Sequence, residues 1–198
     1  MAYEAKNYDH LIGLEGFSET LLKNHFTLYQ GYVKNVNTLS DSLAALVKAD
    51  KSATPEFAEL SRRFGWEFNG MRLHELYFDN IKKDSQGCDK NAPLCQQMDK
   101  DFGPEEKSWT KNFKAIGAMR GIGWVVLYWD TISKRLINTW INEHDVGHLT
   151  GCTPLVVMDV FEHAYMTDYG IKRADYIEAF MKAIDWDVIY TRFTIANA

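Results

Sequence analysis

Between positions 16 and about 47, polar and apolar residues recur with the period of an amphipathic α-helix, and Ser18, followed by Leu21 and Leu22, supplies the start signal. The stretch Lys51-Ser-Ala-Thr-Pro55 interrupts that pattern. Pro55 then opens a second helix, carrying Phe57, Leu60, Phe64, Phe68, Leu73, Leu76 and Tyr77 at roughly helical spacing. So short a connection makes the two helices antiparallel neighbours. Residues 82–103 are polar, with Gly87, Pro93 and Gly103, and predict a joint between two halves of the chain. Pro104-Glu-Glu106 predicts the start of a further helix, running through Trp109, Phe113 and Ile116 to about Met119. The period then shortens. Gly123-Trp-Val-Val-Leu-Tyr-Trp129 has the aromatic and β-branched content of a strand, and Lys134-Arg-Leu-Ile-Asn-Thr-Trp-Ile141 follows across a polar turn. Thr153-Pro-Leu-Val-Val-Met-Asp159 predicts a third strand. From Ala174 the pattern is helical again, with Tyr176, Ile177, Phe180, Met181 and Ile184 on one stripe.

These elements predict an α+β chain with an antiparallel helical hairpin domain over residues 1–84. A second domain over residues 85–198 is built round a small three-stranded antiparallel sheet. With 198 residues and 46% hydrophobic content, the chain can bury a substantial core. Its 22 basic against 27 acidic residues give a formal charge of -5, and each basic pair has acidic neighbours, so no nucleic-acid partner is expected. The longest apolar run, residues 122–129, is far too short to cross a bilayer, and the first ten residues lack the apolar stretch of a signal peptide. A soluble, cytoplasmic protein with no membrane partner is expected. Cys88, Cys95 and Cys152 cannot all pair, and the first two are too widely spaced for a redox CxxC pair or a compact zinc knuckle. Free thiols in a reducing compartment are the corresponding expectation.

Asp159-Val-Phe-Glu-His163-Ala-Tyr165 leaves the end of an apolar strand and turns, so Asp159 and His163 can converge on one point. A carboxylate plus imidazoles suits iron, manganese or zinc rather than a thiolate site. His25 shares a helix face with Tyr32, seven residues on, with Tyr29 between them. His74 lies on the second helix, ahead of Tyr77-Phe78, and helix pairing can bring it to His25. Competing motifs fail. His74-Glu75 begins like the zinc-protease HExxH but lacks the second histidine, and no Glu-x-x-His pair supports a di-iron bundle. His144 and His148 have ligand spacing if helical, although Gly147 and the flanking strands speak against a helix there.

With these residues in view, the chain resembles the iron/manganese superoxide dismutase family over nearly its full length. Asp159-Val-Phe-Glu-His163-Ala-Tyr165 is similar to that family's signature, Asn69-Gly-Met-Arg-Leu-His74 to the stretch bearing its second ligand, and His25 with Tyr32-Val33, Asn35 and Asn37 to its first-ligand helix. Gly121-Ile-Gly-Trp124, Phe102-Gly103 and Arg173-x-x-Tyr176 fall where similar elements occur. The resemblance implies one iron or manganese ion per subunit, held between the two domains by His25, His74, Asp159 and His163, with solvent as a fifth ligand. It implies superoxide disproportionation to dioxygen and hydrogen peroxide, with Tyr32 at the substrate entrance and Trp124 and Phe161 walling the pocket. It also implies a homodimer or a tetramer, with Glu162 and Tyr165 at the interface, Glu162 reaching His163 of the other subunit, and Arg173 stabilising that region. Lys34, Arg72 and Arg173 are candidates for the cations of the substrate funnel.

Three departures from the family pattern carry expectations. The interval from His25 to Tyr32 is one residue short, so a regular helix without the usual bulge is expected, with Tyr29 taking the place of a histidine near the entrance. The glutamine commonly set against the metal-bound solvent is missing. Gly70 cannot supply it, and His144 stands at the other candidate position, which leans the metal preference towards iron or towards either ion. Phe161 and Phe78 stand where tryptophan is usual. A non-catalytic metal-binding dimer of the same fold, and a zinc hydrolase, are the alternative readings.

Overall fold

The computed structural model describes residues 2–103 and 108–198. Ser18 caps the first helix, α1 (Glu19–Lys48), its hydroxyl accepting the Leu21 amide at 3.0 Å. Thr54 caps α2 (Pro55–Asp79) in the same way, and Pro55 takes the first helical position, where no amide is needed. The buried residues of α1 are Leu21, Leu22, His25, Phe26, Tyr29, Val33 and Val36, one continuous face. Beyond Val36 the helix buries nothing, and on α2 burial begins only at Glu67. The hairpin is therefore enclosed over the half that meets the second domain.

Strands β1 (Gly123–Asp130), β2 (Arg135–Asn142) and β3 (Cys152–Asp159) form an antiparallel sheet in the order β2-β1-β3. The central strand β1 is buried on both faces along nearly its whole length, which is why its sequence is a continuous apolar run. Trp124 pairs with Ile141 on one side and with Asp159 on the other. The β1–β3 register shifts next to Pro154, which has no amide to give the ladder. Helix α4 (Ser108–Gly117) covers β1 and β2, and α7 (Trp186–Asn197) covers β3. Asn80, just past α2 and fully buried, accepts the Val157 amide at 2.7 Å through Oδ1 and so ties the hairpin to the sheet.

Three features depart from expectation. Helix α3 (Pro93–Phe102) lies inside the polar stretch expected to be a loop, and it buries only Leu94, Cys95 and Met98, too few apolar positions to signal a helix. The helical stripe expected from Ala174 is α6 (Arg173–Ala183), but a single turn, α5 (Met166–Tyr169), precedes it and, after a break at Ile184-Asp185, a further helix, α7, follows it. At that break the chain crosses the end of α2, the Asp185 amide donating to the Asn80 carbonyl at 2.9 Å, and Asp185 itself caps α7. Cys88 and Cys95, expected free, form a disulfide, because the first turn of α3 folds Cys95 back beside Cys88, with both sulfurs against the Tyr190 hydroxyl. Cys152 is free. The helix start expected at Pro104 lies outside the described residues. Among the described residues no helix is long and apolar enough to cross a membrane.

Candidate metal centre

β3 ends on Asp159, and the Phe161 amide donates to its Oδ1 at 2.8 Å, turning the chain sharply. The next residues, Glu162–Ala164, form a 3-10 turn that returns His163 over the carboxylate. Nε2 of His163 and Nε2 of His25 each lie 3.1 Å from Asp159 Oδ2, and Nε2 of His74 lies 3.7 Å from it. One ligand atom from each of the four residues lies within 4.8 Å of the others. His25, His74 and Asp159 are sealed from solvent, while the His163 side chain is 22% exposed. Tyr176 holds the other end of Asp159, its hydroxyl donating to the backbone carbonyl at 2.7 Å. Burial lowers the pKa of His25 and His74, keeping both imidazoles neutral near pH 7. Burial opposes ionisation of Asp159, but His163 and His25 beside it hold its carboxyl well below the usual range.

His74 tests whether this cluster suits a metal. Its Nδ1 lies 2.6 Å from the Gly70 carbonyl one turn back, and since a carbonyl only accepts, Nδ1 carries the proton and Nε2 is a bare lone pair. That lone pair is fully buried and has no hydrogen-bond partner among the described residues. Such an orphan is costly unless a cation fills the cluster. Three imidazole nitrogens and one carboxylate oxygen, facing one point, fit a mononuclear iron or manganese ion.

Residues 90–192 match the family described as iron/manganese superoxide dismutases, C-terminal domain. Across almost the whole chain, an iron superoxide dismutase of Aquifex pyrophilus is 38% identical over 192 residues, 93% of this chain and 89% of that protein. An iron superoxide dismutase of Cupriavidus metallidurans is 37% identical, covering 92% and 91%, and a manganese superoxide dismutase of Haloferax volcanii is 33% identical, covering 88% and 85%. The chain belongs to the iron/manganese superoxide dismutase family. It is an enzyme that disproportionates superoxide, with a single mononuclear site of three histidines and one aspartate per subunit.

Around this superoxide dismutase centre lies an aromatic shell. Trp124 packs edge-on against His74, with ring centres 5.0 Å apart, and its indole N–H donates to His144 Nδ1 at 3.0 Å. Phe161 is stacked between His144 and His163, at 4.7 and 5.2 Å. Tyr32 lies over His74 at 5.1 Å, and its hydroxyl is 2.8 Å from His144 Nε2. Burial lowers the pKa of His144 to about 4 and raises that of Tyr32, so both are neutral at pH 7. With Nδ1 accepting from Trp124, the proton of the neutral His144 ring sits on Nε2 and is donated to the Tyr32 oxygen. Tyr32 can lie flat because position 70 is glycine: a Cβ there would meet the Tyr32 ring at 2.6 Å.

Other expected residues are distributed differently. Tyr29, expected near the entrance, is sealed inside the hairpin, its hydroxyl donating to Glu75 and accepting the Lys6 amide, because one helical turn from His25 points it inward. The guanidinium of Arg173 is committed to the carbonyls of Met119 and Gly121 and to the Tyr165 hydroxyl, and Arg72 pairs with Glu75, so neither is a free funnel cation. Sequence reasoning missed Trp66. Its ring packs on His144 at 4.4 Å and on Tyr32 at 5.6 Å, its N–H donates to Glu143 at 3.0 Å, and the Arg63 guanidinium lies 3.8 Å above it. A tryptophan eight residues before a helical ligand is the available signal, and it is ambiguous with ordinary core packing.

Proposed function

We propose that the enzyme works as an iron superoxide dismutase in which His144 and Tyr32 manage protons beside the ion, and that it acts as a homodimer. The observation that carries this reading is the chain Trp124–His144–Tyr32, which ends beside His74 in the wall of the centre. When bound, the ion would supply the one-electron exchange needed for the net reaction 2 O2•− + 2 H+ → O2 + H2O2. His25, His74 and His163 would hold it through their ring nitrogens, and Asp159 would contribute the single negative charge. Because His144 spends its Nε2 proton on the Tyr32 oxygen, the Tyr32 hydrogen is left to point into the cavity, where it can be donated to a reduced dioxygen species. Trp124 fixes the tautomer that makes this possible. Phe161 and Trp66 exclude water on two sides of the His144 ring. Similarity to the iron enzymes of Aquifex pyrophilus and Cupriavidus metallidurans supports iron as the working metal.

The dimer reading rests on the face beside His163. Glu162 is exposed there, ringed by Met119, Ile122, Met166 and Ile171, at 46%, 38%, 49% and 93% exposure. A second copy seated on this face covers those side chains and brings Glu162 of the partner subunit to the free edge of His163. The division into domains at residues 84 and 85 belongs to the same reading, with the ion between the halves. A cytoplasmic location also belongs to it, although the Cys88–Cys95 bond withdraws the free-thiol argument and leaves fractionation of the native source as the check.

The test is activity of iron-loaded and manganese-loaded protein prepared separately, with metal counted per chain and mass measured in solution. Iron-dependent activity from a particle of two chains is the expected result. Equal activity with both ions would make the enzyme indifferent to the metal, and no activity at full occupancy would leave a metal-binding protein of the same fold.

A further inference from the structure

The pair His144-x-x-x-His148 is not a metal pair, because the segment is a turn rather than a helix and only its first member reaches the centre. His148 nevertheless touches His144. Its Nε2 lies 2.9 Å from the His144 backbone carbonyl, and a carbonyl can only accept, so this nitrogen carries a proton. Its Nδ1 lies 3.0 Å from the hydroxyl of Tyr128, on the central strand. Burial raises the Tyr128 pKa to about 12, so the hydroxyl keeps its proton and can donate it to Nδ1. The two bonds form a strut from β1 to the backbone of the turn.

The turn needs such support. Glu143 is held at φ +50, a left-handed conformation that a non-glycine residue adopts only at some cost. Gly147 at φ +110 passes so close to the Trp140 carbonyl that a Cβ would sit 2.6 Å from it. The turn is pinned across its base by the Asn142–Val146 bridge and at Glu143 by Trp66. At His144 itself, the only grip on the backbone oxygen among the described residues is His148.

We infer that His148 is a positioning residue for superoxide turnover: through its bond to the His144 carbonyl, with Tyr128 behind it, it sets the angle at which His144 presents Nε2–H to Tyr32. This rests on the proton-handling role proposed for His144, and the experiment separates the two. The His144 Nε2–H is followed by nitrogen-15 NMR in metal-free protein, and kcat and KM are measured on iron-loaded protein, for His148→Ala, His148→Gln, His144→Ala and the double alanine variant.

His148→Ala is expected to retain iron, to speed exchange of the His144 Nε2 proton about tenfold, and to lower kcat several-fold with little change in KM. His148→Gln, whose amide restores a donor at the same reach, is expected to recover most of both losses. In the double variant the kcat effect of His148→Ala should vanish, since the residue it acts through is gone. Unchanged exchange and kcat in His148→Ala, or a kcat loss that persists fully without His144, would overturn the inference. A His144→Ala enzyme with normal kcat, alongside altered exchange in His148→Ala, would instead sink the proposed role of His144 while leaving the strut intact.

Discussion

His25 and His74 sit on two long helices and Asp159 on the last residue of a strand, whereas His144 sits on a surface turn between β2 and β3. All four imidazole or carboxylate groups are nonetheless almost completely buried. The ligands are positioned by elements whose faces make up the core, so moving any of them means repacking residues such as Phe78, Tyr77 and Trp124. His144 is positioned by hydrogen bonds from Trp124 and His148 and by the one it donates to Tyr32, each contributing about 1 kcal/mol net. On the function proposed above, retaining the metal and tuning its chemistry fall to regions with different mechanical support, and they can be perturbed separately.

The sharpest break in the comparison comes from the ligand side. Asp159→Ala removes the only carboxylate of the centre, and metal content should fall below about a tenth of an ion per chain, with activity down by a factor of order 10^3. On the other side, His144→Ala should keep its metal and lose activity by about 10–100-fold, the usual scale for groups that act on a metal through its ligands. Elemental analysis beside the activity assay distinguishes the two outcomes, and equal metal loss in both variants would abolish the distinction.

The acid response sharpens it further. The folded pKa of His144 is depressed from 6.5 to about 4, so between those values the unfolded chain binds more protons than the folded one. Its contribution is intact above about pH 6.5 and is lost as the pH falls towards 4, amounting to at most about 3 kcal/mol. Denaturant melts of metal-free protein across that window should show the loss, and His144→Gln should flatten the part due to this residue while His25 and His74 still act in the same direction. The smallest effect is expected from Trp66→Phe, which keeps a ring over His144 and removes the bond to Glu143: about 1 kcal/mol of stability, an unchanged metal content, and a change in KM of about threefold or less.

Much of the ligand side was legible in the sequence. Helix periodicity set His25 and Tyr32 on one face, Ser18 and Pro55 mark where both helices begin, and the apolar run of β3 ends on Asp159. The region round His144 was much less legible, because its contacts join residues far apart in the chain. Trp66 reaches Glu143 across 77 positions, and the strut through His148 depends on which strand residue Tyr128 faces. The same reason hid the end of α6. No local stop signal stands at Ile184-Asp185; the break is made by the carbonyl of Asn80, more than a hundred residues earlier. Helix α3 and its disulfide escaped because a helix that buries three side chains leaves almost no periodicity to read.

Gly70 lies under the ring of Tyr32, and any side chain there would begin 2.6 Å from that ring. A group supplied from position 70 instead of 144 would need the Tyr32 ring to move. The size of residue 70 and the seat of the tyrosine are thus one coupled choice, made together or not at all.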